Sequence, residues 1–286
     1  MGYLHINNLY KDQDILMFKE CYALEKIHGT SAHIKYKTET GITFFSGGEK
    51  HARFVELFDV EGLTEKLRAF GVEEITIFGE AYGGKCLGMS GTYGKELKFV
   101  AFDVKIDDCW LDVPKAEAIV LELGLEFVWY VRCITDIDKL DLECYAESKQ
   151  AIRNGMGPGK KMEGVVLRPI VELTKNNGSR VIVKHKRDDF SETKTPRVVS
   201  PEKLKILSDA KEVAEEWVTP MRLNHVLDKI EGGASMEKMR TIISAMIEDV
   251  KREGEGEIEW SQTVAKAIGK ATAVMTKQYF QNKLHA

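Results

Sequence analysis

Glu25-Lys26-Ile27-His28-Gly29-Thr30 decides how the rest of this chain is read. It closes the strand-like run Cys21 to Glu25 with a lysine amine, then an imidazole two residues on, then a glycine. With a pKa near 10.4, only about one lysine amine in a thousand is neutral at neutral pH. A lysine that acts as a nucleophile therefore needs positive charge nearby or removal from water. A shift of roughly two to three units corresponds to about 3 to 4 kcal/mol.

Later stretches supply what such a lysine needs. They are, in order, Phe78-Gly79-Glu80, Phe99 to Asp103, Glu163-Gly164-Val165-Val166 and Val181-Ile182-Val183-Lys184-His185-Lys186. On a strand, alternation puts Lys184 and Lys186 on one face and His185 on the other. Two lysines there would lower the pKa of a third, and would neutralise a nucleotide's phosphates and a leaving pyrophosphate. Glu163 precedes an apolar strand and is a candidate ligand for the Mg²⁺ (or Mn²⁺) that phosphoryl transfer commonly needs. Phe102 offers a face for stacking on a nucleobase. Taken singly, each has a plainer explanation: a solvent-facing lysine pair, a strand-edge glutamate, a core phenylalanine. Their order is what carries weight. Gly79 to Lys85 imitates a P-loop, but Cys86 stands where Ser or Thr would be required, and the glycines at 88, 91 and 94 argue against the helix that should follow. Gly-Met-Gly-Pro-Gly at 155–159 reads as a loop feeding the Glu163 strand.

The chain has 286 residues, 43% hydrophobic and 30% charged, enough for one large or two modest domains. Five scattered cysteines without a Cys-x-x-Cys pair argue against a disulfide framework or structural zinc, and fit a reducing compartment. No apolar run reaches membrane-spanning length and the N-terminal stretch does not read as a signal peptide. The expectation is a cytoplasmic monomer without a membrane partner. The net charge of −4 hides a contrast: residues 103–147 hold twelve acids against four Lys/Arg, and residues 149–187 hold ten Lys/Arg against two acids. The basic segment carries the Glu163 and Lys184 elements, which suits an anionic partner.

Alternating patterns predict strands at 21–25, 32–37, 42–45, 75–78, 98–106, 126–133, 164–171 and 180–186. Helices are expected over 49–70 (broken near Glu61-Gly62), 114–123 and 142–154. After Thr195-Pro196 the signals become helical: 201–217, 221–230, 235–252 and 260–284. These patterns predict an α+β domain of residues 1–195 followed by a small all-α domain of residues 196–286.

In this order the elements resemble the motifs of covalent nucleotidyltransferases, and most specifically the RNA ligase 2 family of phage and RNA-editing ligases. Glu25 to Thr30 is similar to that family's first motif, where His28 stands in place of the aspartate of DNA ligases and capping enzymes. Phe78-Gly79-Glu80, Phe102-Asp103, Glu163-Gly164-Val165-Val166 and Lys184-His185-Lys186 resemble the motifs that follow. Leu223 to Ile230 and the helices after it resemble the family's helical C-terminal domain. The resemblance implies a nucleotidyltransferase domain of antiparallel sheets and helices (ATP-grasp-like) and an ATP-dependent RNA ligase. Lys26 would take AMP from ATP, Glu80 would hold the ribose, and Phe102, beside Asp103, would stack on adenine. Glu25 would lie at the adenine, Glu163 would support Mg²⁺ or Mn²⁺, Lys184 and Lys186 would bind phosphate, and His28 would serve later chemistry. RNA is the implied partner, as a nicked duplex or as free ends. One departure stands out: the family's arginine about twenty residues past the nucleophile is missing from Ser46-Gly47-Gly48-Glu49-Lys50, leaving Lys50 or Arg53 as substitutes for substrate binding. The competing readings are a DNA ligase or capping enzyme, disfavoured by His28 and the helical C-terminus, and a non-catalytic relic, disfavoured by the presence of Lys26, Glu80, Glu163, Lys184 and Lys186.

Overall fold

The computed structural model describes residues 2–190, 201–228, 230, 234–254 and 258–284. The chain divides into two compact units: Met1–Ile15 with Lys19–Arg197, and Leu16–Phe18 with Val198–Ala286.

The first unit is α+β and is built on two five-stranded sheets. One sheet contains β1 (Asn7–Asn8), β2 (Glu20–Glu25), β8 (Tyr130–Ile134), β9 (Gly164–Pro169) and β10 (Val183–Lys186), in the spatial order β1-β10-β9-β2-β8. The other contains β3 (Thr30–Lys37), β4 (Gly41–Ser46), β5 (Glu74–Gly83), β6 (Leu97–Ile106) and β7 (Cys109–Trp110), in the order β4-β3-β5-β6-β7. All pairings are antiparallel except β1 with β10. The chain passes from the first sheet to the second between Glu25 and Thr30, so the lysine motif is the crossover itself.

The β-rich core is layered by periodicity. Ile34, Tyr36, Ile75, Ile77, Val100 and Val104 are buried against α1 (His51–Val55), α2 (Val60–Ala69) and α4 (Val113–Glu122), which contribute Phe54, Leu63, Leu67 and Val120. Each such aliphatic side chain contributes about 1.5–3 kcal/mol on burial. The expected break near Gly62 lies earlier: α1 ends at Val55, and α2 starts where the Asp59 side chain accepts from the Gly62 amide. Gly62 belongs to a capped first turn and is not a breaker. The expected helix over 142–154 is likewise two, α5 (Ile137–Cys144) and α6 (Lys149–Arg153), because Ser148 caps the second. The strand expected from Glu126 begins only at Tyr130. Residues 126–128 bond instead to Ala101 of β6 (Ala101 N–H to the Glu126 carbonyl, 2.8 Å; Val128 N–H to the Ala101 carbonyl, 2.8 Å) before the chain joins the other sheet. The P-loop imitation is dissolved in β5, which runs through Gly83, and the helix after it, α3 (Ser90–Tyr93), is one turn long.

The second unit is helical: α7 (Pro201–Trp217), α8 (Pro220–Asp228), α9 (Met239–Glu253) and α10 (Gln262–Leu284). Its core joins Ala210, Leu223, Val226, Ile242, Met246, Val250 and Ile268, all buried. Ile242, Met246 and Val250 recur at the spacing of one helical face. No helix among the described residues is long and apolar enough to cross a membrane.

Candidate active site

The register of β2 against β9 fixes the centre of the site. Glu25 lies opposite Val165, and the Lys26 amide donates to the Gly164 carbonyl at 2.9 Å, which brings Lys26 beside Glu163. The two motif glycines make this approach possible. At Gly29 a Cβ would collide with the Ala81 carbonyl and, at 2.9 Å, with Cγ of Glu80; the crossover lies flat on β5 only without a side chain. Gly164 has φ +144°, and a Cβ there would meet the His185 carbonyl and, at 2.8 Å, Cα of Lys186, so β9 reaches β10 only through glycine.

Three predicted residues then meet on the carboxylate of a fourth. Lys26 Nζ donates to Glu163 Oε2 at 2.8 Å, His28 Nδ1 lies 3.1 Å from the same oxygen, and Lys186 Nζ pairs with Oε1 at 2.9 Å. Glu163 is nearly sealed, with 3% of its side chain exposed, whereas 24% of the Lys26 side chain remains accessible. Burial pushes the Glu163 carboxyl up, but Lys26 and Lys186 outweigh it and hold the group below the usual carboxylate range. The backbone of His28 is pinned by its N–H donating to the Tyr93 hydroxyl at 3.3 Å. His185 points away from the lysines, its Nε2 lying 2.6 Å from Asp141 Oδ1, as strand alternation requires.

A cavity of about 410 Å³ opens between the sheets beside Lys26. Glu25, Lys26, Glu80, Phe102, Asp103 and Lys184 all line it. Glu80 projects from β5, and burial raises its carboxyl to about 7, with Glu163 pushing the same way and Lys26 opposing. At neutral pH such a group both donates and accepts hydrogen bonds. Phe102 sits across from Val166 and Leu24 on the facing sheet, which also line the space, and two apolar walls suit a flat ring. Glu25 has a structural part as well. Its carboxylate accepts from Ser148 Oγ (2.5 Å) and from the amides of Lys149 (2.9 Å) and Gln150 (3.0 Å), tying α6 to the strand that carries Lys26. Lys50 and Arg53 lie elsewhere: both are exposed on or beside α1, neither lines the cavity, and Arg53 is 3.5 Å from Glu49.

Of the charged network around Asp103, the sequence reading named only Asp103 itself, as a cofactor-binding candidate. Asp103, beside the stacking candidate, is fully buried and accepts from Arg168 Nη1 (3.0 Å), Arg180 Nη1 (2.5 Å), the Tyr3 hydroxyl (2.5 Å) and the Val104 amide (2.9 Å). Glu172 completes the set, accepting from Arg168 Nη2 at 2.7 Å and Arg180 Nε at 2.7 Å. Two buried guanidiniums are thus balanced by two carboxylates. One signal was visible beforehand: Arg168 is a charge inside the apolar run Val165 to Pro169. Tyr3 gave none, since Tyr3 to Ile6 reaches the cavity only by tertiary folding.

The fit of a divalent metal depends on its donors. Among the described residues no three His, Cys, Asp or Glu side chains cluster as a metal cage. Glu163 lies 2.8 Å from Lys26 Nζ, and Glu80 lines the cavity with that lysine. That set fits a Mg²⁺-type ion held by one or two carboxylates and by substrate phosphate oxygens.

The sequence profile described as RNA ligase matches residues 19–186, the span that contains every one of these motif residues. The chain belongs to the RNA ligase family. Solved structures of the Naegleria gruberi RNA ligase share the ligase fold. A mutant with ATP and Mn is 12% identical with a TM-score of 0.51, over 66% of this chain and 56% of that one. The same ligase with PPi is 14% identical with a TM-score of 0.51, over 66% and 57%. A mutant with AMP and Mn is 12% identical, also with a TM-score of 0.51, over 66% and 57%. The match thus spans little more than half of those chains, and the likeness is one of fold. No curated protein sequence matches significantly.

Proposed function

We propose that this protein is an ATP-dependent RNA ligase that joins a 3′-hydroxyl to a 5′-phosphate through lysyl-AMP and RNA-adenylate, with nicks in duplex RNA as its preferred ends. The observation that carries the reading is Lys26: an accessible amine lining a nucleotide-sized cavity, held by Glu163 at 2.8 Å. Solved ligases of this fold hold ATP with Mn and AMP with Mn, which supports ATP and a divalent ion, Mg²⁺ or Mn²⁺, here.

In the first step Nζ of Lys26, having released its proton to solvent, attacks the α-phosphorus. An N–P bond forms, the bond to the bridging oxygen breaks, and pyrophosphate leaves with the electron pair. Glu163 orients Nζ and is a weak base, because its neighbours favour its ionised form. Glu80 accepts or donates to the ribose hydroxyls, Phe102 and Val166 sandwich the base, and Lys184 and Lys186 offset phosphate charge. A divalent ion near Glu163 would supply further charge neutralisation at the phosphates. AMP then passes to an RNA 5′-phosphate, and a 3′-hydroxyl displaces it. The helical unit is proposed to engage RNA; with fourteen acids and fourteen Lys/Arg in residues 196–286, it would do so by sorting charge onto one face.

The test is incubation with α-labelled ATP and a divalent metal, followed by denaturing electrophoresis. A covalent label is expected on the parent chain and none on Lys26→Ala, which should still join RNA bearing a preformed 5′-adenylate. A labelled Lys26→Ala overturns the assignment of the nucleophile, and labelling by GTP in place of ATP favours a capping-type enzyme.

A further inference from the structure

Cys21 and Cys133 lie directly opposite each other on β2 and β8, with their sulfurs 3.8 Å apart. The same register makes Lys19–Thr135 and Glu25–Trp129 hydrogen-bonded pairs, at 3.2 Å and 2.9 Å. Counting by two from either end places Cys21–Cys133 in that class as well. In such pairs the Cα atoms are about 5.5 Å apart, inside the roughly 4.4–6.8 Å that a disulfide spans. A modest rotation of both side chains brings the sulfurs to bonding distance without moving a strand. The two positions differ in access: Cys21 is fully buried, whereas Cys133 is half-buried on β8, an edge strand.

From this geometry we propose that Cys21 and Cys133 form a reversible redox-modification site, oxidised by a small hydroperoxide such as hydrogen peroxide, with Cys133 reacting first and Cys21 resolving. The hydrogen bond from Cys21 holds the Cys133 thiol below its usual range, against burial and the nearby Glu143 and Glu20, and a thiolate is the reactive form. The Cys133 thiolate attacks one peroxide oxygen, the O–O bond breaks, and hydroxide departs and is protonated to water. Sulfur has lost two electrons and is a sulfenic acid. The Cys21 sulfur then attacks the Cys133 sulfur, its proton leaves with the displaced hydroxide as a second water, and the S–S bond forms. A dithiol reverses the change. In a thiol-rich compartment such a bond is transient, which is the behaviour of a sensor and not of a structural staple. Cys109, exposed and outside any such pair, is the internal control for accessibility alone. This site stands independently of the ligase reading.

The test treats the full chain with stepwise hydrogen peroxide, blocks remaining thiols and maps peptides without reduction. The expected product is a peptide pair linking Cys21 to Cys133, lighter by two hydrogens and reversed by dithiothreitol, formed at lower peroxide than any change at Cys109. Cys21→Ala should give no linked pair and should leave Cys133 as a sulfenic acid trapped by dimedone. Cys133→Ala should leave Cys21 unmodified at the same dose. Oxidation of Cys109 before Cys133, or a link that joins either residue to another cysteine, overturns the proposal.

Discussion

Replacing Asp103 by alanine removes the acceptor that two buried guanidiniums and a phenol share. The Arg168, Arg180 and Asp103 side chains are 2%, 2% and 1% exposed, so bulk solvent screens them little. In the parent two arginines face two carboxylates; in Asp103→Ala the pair faces Glu172 alone, and one positive charge is buried without compensation. Breaking a buried ion pair from one side costs about 3–5 kcal/mol. For a unit of this size each kcal/mol moves the melting temperature by roughly 2–4 °C, so a fall of about 6–20 °C is expected. Asp103→Asn keeps the volume and one acceptor oxygen, and should fall between the parent and Asp103→Ala. The assay is calorimetry of the full chain with and without ATP, where the ATP-sensitive transition identifies the unit that carries the cavity. ATP affinity should fall too, because Phe102 is the next residue on β6 and its backbone is anchored through Asp103. A melting temperature of Asp103→Ala within about 2 °C of the parent would mean that the arginines are solvated or rearrange at no cost, and that their charge is not held by Asp103.

Glu80, raised to about 7 from an ordinary 4.5, costs the folded state progressively as pH climbs from 4.5 to 7, because folding then favours the protonated form that the unfolded chain has already lost. Glu80→Gln should therefore gain melting temperature relative to the parent between pH 5 and pH 8, and a difference that stays flat refutes the burial of that charge. Lys186→Ala should slow covalent AMP labelling by on the order of 10²-fold at pH 7. The loss should be partly recovered at pH 9.5 if its charge also assists deprotonation of Lys26; an equal loss at both pH values leaves phosphate binding as its whole contribution. A fragment of residues 1–195 should still form lysyl-AMP in the labelling assay and seal 5′-phosphate nicks poorly; sealing at the full rate would remove the helical unit from RNA recognition.

Most of the strands and the order of the motifs were legible along the chain, because both are local. Alternation marks which residues of β3 or β10 share a face whatever they pack against, and it placed Lys184 and Lys186 opposite to His185 correctly. Lys26, Glu163, Lys184 and Lys186 could be named together from the charge that a nucleophilic lysine and phosphates need, and His28 joined them through the family resemblance; the close approach that Gly29 and Gly164 allow is visible only in the folded chain. Helix boundaries were less legible where a cap did the work: Asp59 and Ser148 start helices that apolar periodicity alone would run together or break elsewhere. Partnership was not legible along the chain. Nothing local says that Glu25 ties down α6, that Tyr3 reaches Asp103 across a hundred positions, or that Arg168 and Arg180 share one carboxylate. Those contacts depend on which strands are neighbours, and a buried charge selects its partner through the low dielectric around it, a property that exists only once the chain has closed over it.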